Sequence, residues 1–455
     1  MTARWLTFWS LAGLLPALAA CDDGDAGRSE LRCAGSACSA DCRELAGPPC
    51  DVLTDRCRAR VLRAVSCARG GGGQLPQIRI MSEEEYRLEL NEPLSADGGL
   101  RDGAAPDPDD DAGLAGAEPR PAKLDSWSLA LGMLGLLPRG MDLRSSSIES
   151  SARGVAGYYE SDEQRITLID RGKPQDDWSA IEVFAHELVH ALQDQSLGLS
   201  ELWTRSAGYG DGAFAHGCLI EGEAQLYTTL ALALLRDVAF DDAYFAVLLR
   251  AQLKYTRRAV ASAPAPYAAT WQLRYPIGAG YLFDAYRQDG HWAVQALFEA
   301  QPSSAIHWMV GFEQNASRRE HLVLPLACDL AAAPAGYRLQ QQRSLGAAVL
   351  FAFLAHGLRQ PDGVLTTEEQ WRNALRWRQD SLSVFENGAG QVALSYRVRF
   401  DDEALAAQLA EQLAASTIVA LQVVQHGDEL ELLAADDPAL LDGWHTDPDA
   451  CPLPP

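Results

Sequence analysis

Apolar positions along this chain recur at changing spacings, and each spacing predicts an element. Val52, Leu53, Cys57, Val61, Leu62 and Val65 repeat at helical intervals, which predicts a helix over 51–67. A glycine-rich hinge, 69–73, follows it. Residues 78–81 predict a strand. Ser82 with Glu85 three residues on then predicts a helix start, because hydroxyl and carboxylate each satisfy an otherwise orphan backbone N–H. Leu129, Leu131, Met133, Leu134 and Leu137 predict a helix ended by Pro138-Arg139-Gly140, and residues 144–153 a further helical piece. Residues 155–159 and 165–169 predict two strands joined by the turn Ser161-Asp162-Glu163-Gln164, a hairpin that feeds the next helix. From 178 onward the pattern is mainly helical for about two hundred residues. Late strands are predicted at 391–399 and 418–433, around a helix at 402–414. The run 227–235 is too short to cross a membrane and predicts a buried helix face. No internal repeat is apparent. The fold class is therefore α+β, mainly helical, with a small strand region just ahead of the helix that opens at 178.

Composition sharpens the domain picture. Of 455 residues 47% are hydrophobic, enough for a substantial core. Residues 92–122 are the exception. They are rich in Pro, Gly, Ala and Asp, carry the acidic block 107–111, and predict a disordered insertion or linker because they bury too little to offset ordering entropy. Acidic residues outnumber basic ones by 62 to 38, giving a formal charge of -24, which argues against nucleic acid as a partner. At the amino end, Arg4 precedes the apolar run 5–20, which predicts an export signal. Ten cysteines occur, six of them within 33–67. That density predicts an oxidising compartment and a disulfide-stapled segment, with three bridges in any of fifteen connectivities. Cys328 with Cys451 is the preferred pair among the scattered cysteines, since both lie away from the residues singled out below. The expected boundaries are 1–20 signal, 21–73 cysteine-rich segment, 74–91 first elements of the main domain, 92–122 linker, 123–390 main domain and 391–455 α/β extension.

The chemistry concentrates in Ile181-Glu182-Val183-Phe184-Ala185-His186-Glu187-Leu188-Val189-His190. Histidines at i and i+4 share one helical face and can present two imidazoles to one zinc ion, Zn2+. Glu187 stands beside them, where a carboxylate can reach a metal-held water without ligating. Ile181, Ala185, Leu188 and Leu192 supply the opposite, core-facing side. A catalytic site needs a third protein ligand. Positions 193 and 196 are Gln and Ser, so no histidine extends the motif, and the ligand comes from elsewhere. Glu221 and Glu223, at the start of an apolar helix, are both candidates, and His216 and Cys218 are rivals. Asp194, four residues after His190, can orient a ligand histidine or stabilise the next turn. His307 is a candidate hydrogen-bond donor to a reacting oxyanion. No G-x-S-x-G elbow and no phosphate-binding loop is present.

These pieces resemble two known groups. Leu18-Ala19-Ala20-Cys21 resembles the bacterial lipoprotein signal, which implies cleavage before Cys21, lipid on its thiol and new amino group, and an exported, envelope-anchored protein at the inner or outer membrane. His186-Glu187-Leu188-Val189-His190, Glu221-Gly222-Glu223-Ala224 and Tyr275-Pro276-Ile277-Gly278 together resemble the gluzincin metallopeptidases. That resemblance implies a zincin-like fold, zinc held by His186, His190 and Glu221, and Glu187 as general base. It also implies Tyr275 as an oxyanion donor and Glu223 as supporting or substrate-facing. His190-Ala191-Leu192-Gln193-Asp194-Gln195 and Val155-Ala156-Gly157-Tyr158-Tyr159 are similar to a group of uncharacterised bacterial exported proteins. The G-x-M-E-N segment of aminopeptidases is absent, so internal cleavage of a peptide or protein substrate is favoured over trimming. A zinc amidase acting on cell-wall peptides and a non-catalytic zinc-containing envelope module are the alternatives. Oligomeric state is not legible.

Overall fold

The computed structural model describes residues 42, 44–91, 124–172, 174, 176–199, 201–202, 210–238, 242–300, 304–314, 333–357, 366–415 and 421–444. The expected export signal and lipid site at Cys21, the linker 92–122, and Cys33, Cys38, Cys328 and Cys451 lie outside the described residues.

The first described helix, α1 (Asp55–Arg69), starts where the Thr54 hydroxyl accepts the Cys57 N–H and stops at Gly70, which is left-handed at φ 81. Such caps satisfy end groups that the helix itself leaves bare, for about 1 kcal/mol at the N-cap. Cys42 is bonded to Cys67 and Cys50 to Cys57, so this short segment is stapled twice. Strand β1 (Gln77–Ser82) leads into α2 (Glu83–Asn91). The capping box read from the sequence is formed: the Ser82 N–H donates to Glu85 Oε2 at 2.7 Å, and the Glu85 N–H to Ser82 Oγ at 3.2 Å.

Asp125 and Asp142 cap α3 (Ser126–Met133) and α4 (Leu143–Gly154). The former ends earlier than its leucine spacing suggests, and Leu134, Leu136 and Leu137 are buried in the turn that follows. Strands β2 (Gly157–Glu160) and β3 (Arg165–Asp170) then form the expected hairpin. The sheet order is β1-β3-β2, with β1 parallel and β2 antiparallel to β3, so β2 is an edge.

The helical body comprises α5 (Trp178–Leu197), α6 (Asp211–Leu235), α7 (Asp242–Ser262), the short α8 (Pro266–Ala269), α9 (Arg274–Ala300) and α10 (Ala305–Gln314). Helix α9 breaks at Asp289 and Gly290. Helix α6 is long and apolar enough for a membrane span, but its side chains are packed inside the fold on all sides, as a central core helix requires.

The late region is more β-rich than its pattern suggests. Strand β4 (Tyr337–Arg343), α11 (Gly346–Gly357), α12 (Thr366–Ala374) and β5 (Trp377–Asn387) precede the strands expected there. Then come β6 (Val392–Phe400), α13 (Glu403–Ala414), β7 (Gln422–His426) and β8 (Glu429–Ala435). They form one antiparallel sheet of order β4-β5-β6-β8-β7, which spans the boundary expected at 390. The stretch from 178 is thus interrupted by β4 well before 391. One hydrophobic core runs from Val61 and Val65 of α1 through Phe184 and Leu188 of α5 to Leu394 and Leu432 of the second sheet. The fold is a mixed α+β, mostly helical one with two small sheets.

Candidate metal centre

Helix α5 is held at both ends. The Asp177 carboxylate accepts the Ala180 N–H, and Gly198 closes the other end in the left-handed region. Every residue from Ile181 to Gln193 is buried, because β2, β3, α1 and α6 enclose the helix. The i, i+4 spacing brings the His186 and His190 rings to 4.8 Å between centroids, at 78° to each other.

The third group arrives on α6, and glycines decide how close it comes. A Cβ on Gly222 would lie 2.4 Å from the Gly278 carbonyl carbon, and one on Gly278 would lie 1.9 Å from the Cys218 oxygen. Helices α6 and α9 therefore touch backbone to backbone at this crossing, which only glycine permits. Glu221 is next to that contact. Its Oε2 lies 3.2 Å from His186 Nε2 and 3.5 Å from His190 Nε2. Tyr275, one turn before Gly278 on α9, has its ring 5.7 Å from that of His186.

Among the described residues, His186, His190 and Glu221 offer ligand atoms all within 4.8 Å of one another. Two imidazoles and a carboxylate suit zinc. All three are 2% exposed or less. Burial holds the His186 imidazole below its ordinary pKa, with the neighbouring His190 adding to the effect and Glu221 opposing it, so His186 keeps a lone pair for a metal. Burial also works against the charge of Glu221, yet the two imidazoles that face it, His186 and then His190, hold it well below the usual carboxylate range.

Glu187 is the anomaly. It is fully buried, and neither carboxylate oxygen completes a hydrogen bond. Burial and the nearby Glu221 charge push its pKa well above normal, eased only by the facing Tyr159 backbone N–H. A bare buried carboxylate is costly. Placed beside this donor set, its orphaned oxygens fit a water held on a metal, so the residues present suit a metal-activated site.

The surrounding side chains divide the remaining roles. Asp194 bonds at the next turn, one of the two roles expected of it. Its Oδ2 accepts from the Tyr159 hydroxyl at 2.9 Å and its Oδ1 from the Leu199 N–H at 2.8 Å, so it ties edge strand β2 to α5 and closes the next turn. Gln193, not among the expected site residues, faces the histidine, its Oε1 lying 2.8 Å from His190 Nδ1. Its i+3 spacing from His190 was a usable signal, since such residues share a helix face. Glu223 points away from the triad, accepting from Gln193 and Arg69. Arg69, on a distant segment, left no mark in the local pattern.

Of the rival ligands, His216 Nδ1 bonds the Gly212 carbonyl one turn back on its own helix, and Cys218 is buried without a disulfide partner. His307 is half-buried in the first turn of α10, with its backbone N–H donating to Ser304 O. Comparison of the chain with family models, with curated proteins and with solved structures returns no match, so the reading of this centre stands on its own geometry.

Proposed function

We propose that this chain is a zinc-dependent hydrolase of peptide bonds, an endopeptidase on a zincin-like fold, exported and anchored to the cell envelope by lipid on Cys21. The observation that carries the catalytic reading is Glu187, buried with no completed hydrogen bond beside a His-His-Glu triad. A purely structural metal would need the triad and no such neighbour.

His186, His190 and Glu221 would hold zinc, which would supply a Lewis acid for the scissile carbonyl and lower the pKa of water toward about 7. Glu187 takes a proton from the attacking water and passes it to the departing nitrogen. Tyr275, 6% exposed on α9 with its ring 5.7 Å from that of His186, donates its hydroxyl to the oxyanion, and His307 is the second candidate for that role. Edge strand β2 offers backbone groups to an extended peptide, which favours internal cleavage. Because Glu187 must be ionised to accept a proton, turnover falls as pH drops.

A digest of peptide libraries and cell-wall peptides by wild type and Glu187→Gln tests this. The substitution keeps zinc and removes most turnover. Equal cleavage by both proteins would overturn the mechanism. No cleavage by folded, zinc-loaded wild type would leave a non-catalytic envelope module. Mass spectrometry of the mature terminus decides the anchor, and an unacylated terminus would reject it.

A further inference from the structure

A line of buried side chains leads away from His190 and ends on a different segment of the chain. Gln193 Oε1 lies 2.8 Å from His190 Nδ1. The Gln193 amide nitrogen donates to the Ile220 carbonyl at 2.9 Å and to Glu223 Oε2 at 2.8 Å. Glu223 Oε1 accepts from Arg69 Nε at 2.9 Å, with Gln295 Nε2 farther off at 3.5 Å. Arg69 also donates to Ser196 Oγ at 3.1 Å and to the Leu192 carbonyl at 3.5 Å, both on α5. Arg69, Gln193 and Glu223 are all buried.

Chemistry fixes the direction of this line. A main-chain carbonyl only accepts, so the Gln193 face toward Ile220 and Glu223 is its NH₂ side. Its oxygen is left facing His190. An amide oxygen only accepts, so the hydrogen on His190 sits at Nδ1. In the neutral ring Nε2 then carries the lone pair, and Nε2 is the nitrogen that faces Glu221. Ligation through Nε2 requires that tautomer.

We propose that Arg69 is a positioning residue of the metal centre, acting through Glu223 and Gln193 to hold His190 as the Nδ1–H tautomer. This rests on the zinc reading above. Arg69 is the last residue of α1, and its direction is set from both sides. Cys67, two residues earlier, is bridged to Cys42, and Gly70 caps the helix end. The guanidinium reaches Glu223, Ser196 and the Leu192 carbonyl from one planar fork. A lysine would keep the charge and lose that geometry. The cysteine-rich segment is thereby a working part of the site, and its staple holds the far end of the line.

The test uses full-length protein as wild type, Arg69→Met, Arg69→Lys and Gln193→Leu. Zinc affinity is measured by competition with a chromophoric chelator. Nitrogen-15 NMR of the metal-free protein reads the His190 tautomer, and thermal unfolding of the metal-free protein controls for folding. The expected wild-type tautomer is Nδ1–H. Zinc affinity should fall roughly 10- to 100-fold in Arg69→Met and in Gln193→Leu, with Arg69→Lys restoring only part of it. Wild-type His190 in the Nε2–H form would overturn the proposal even if a variant fails to fold. So would folded Arg69→Met and Gln193→Leu proteins that bind zinc as wild type does. Absence of zinc binding by wild type would overturn the metal reading and this inference together, whereas normal wild-type binding untouched by both substitutions would overturn this inference alone.

Discussion

Asp380 and Glu187 are both buried carboxylates, and α6 runs past each of them. Asp380, on β5, accepts from the Ser344 hydroxyl, from the Tyr396 hydroxyl at 2.8 Å and from the Gly346 N–H at 3.0 Å. Beside it Asp211, the first residue of α6, accepts the Ala305 N–H at 3.0 Å. This cluster joins α6 to α10 and to the second sheet. Glu187, on α5, completes no hydrogen bond and has only the Tyr159 backbone N–H facing it. Burial penalises charge in both places. Around Asp380 the chain supplies donors from strand β6, from the loop after β4 and from the start of α11 to offset that cost. Around Glu187 it leaves the cost standing, and sets two histidines and Glu221 next to it. The first region is a joint that is complete in itself. The second is a cluster that could hold a metal ion.

The largest expected effect that separates the two regions is on catalysis. Glu187→Gln should lower turnover by about 10²- to 10⁴-fold, the usual worth of a positioned proton acceptor. The same change should leave the stability of the metal-free protein unchanged or raised, because it removes a bare buried carboxylate. Asp380→Asn is the matched control and should leave turnover within a few-fold. A marked loss of stability in Glu187→Gln, seen by denaturant titration, would make the two regions alike and break the comparison.

A smaller effect concerns the joint. Asp380→Ala strands the Tyr396 and Ser344 hydroxyls and the Gly346 N–H, and should cost about 1–3 kcal/mol of stability. Zinc affinity should hold as long as the protein is folded, since the joint touches the distant first turn of α6. Urea unfolding beside a zinc titration checks both halves.

The smallest effect is in pH. Burial and the facing charge of Asp380 push Asp211 up to about 7, and burial pushes Asp380 up to about 6. Both folded values exceed the unfolded carboxylate value. The folded state therefore binds more protons than the unfolded one through this window, and stability declines as pH rises from about 4 to about 7. Asp211→Asn should remove up to about 1.4 kcal/mol per pH unit of that slope. Parallel slopes in wild type and variant would show that the joint does not titrate.

How much of this was legible in sequence follows the range of each interaction. The capping box at Ser82, the hairpin at 157–170 and the i, i+4 histidines are local patterns, and they were legible. Glu221 was reachable as one of several candidates, because the Gly222–Gly278 contact that selects it joins segments far apart in the chain. Strand β5 was missed. Its residues Arg378, Gln379, Asp380, Ser381 and Ser383 are polar, and only pairing with β4 and β6 makes them a strand. Asp380 is buried there by bonds to groups from other elements, and no local pattern reports such bonds. Asp194 and Gln193 show the same limit at shorter range. Both lie within one turn of His190, and only the position of β2 on one side and Glu223 on the other assigns one to the strand and the other to the histidine.

The most direct measurement is zinc content, by elemental analysis after zinc exposure and desalting, of wild type, His190→Ala, Glu187→Gln and Asp380→Asn. One zinc per chain should remain in wild type, Glu187→Gln and Asp380→Asn, and none in His190→Ala. A wild type without stoichiometric zinc, or a His190→Ala protein that retains it, would contradict the account.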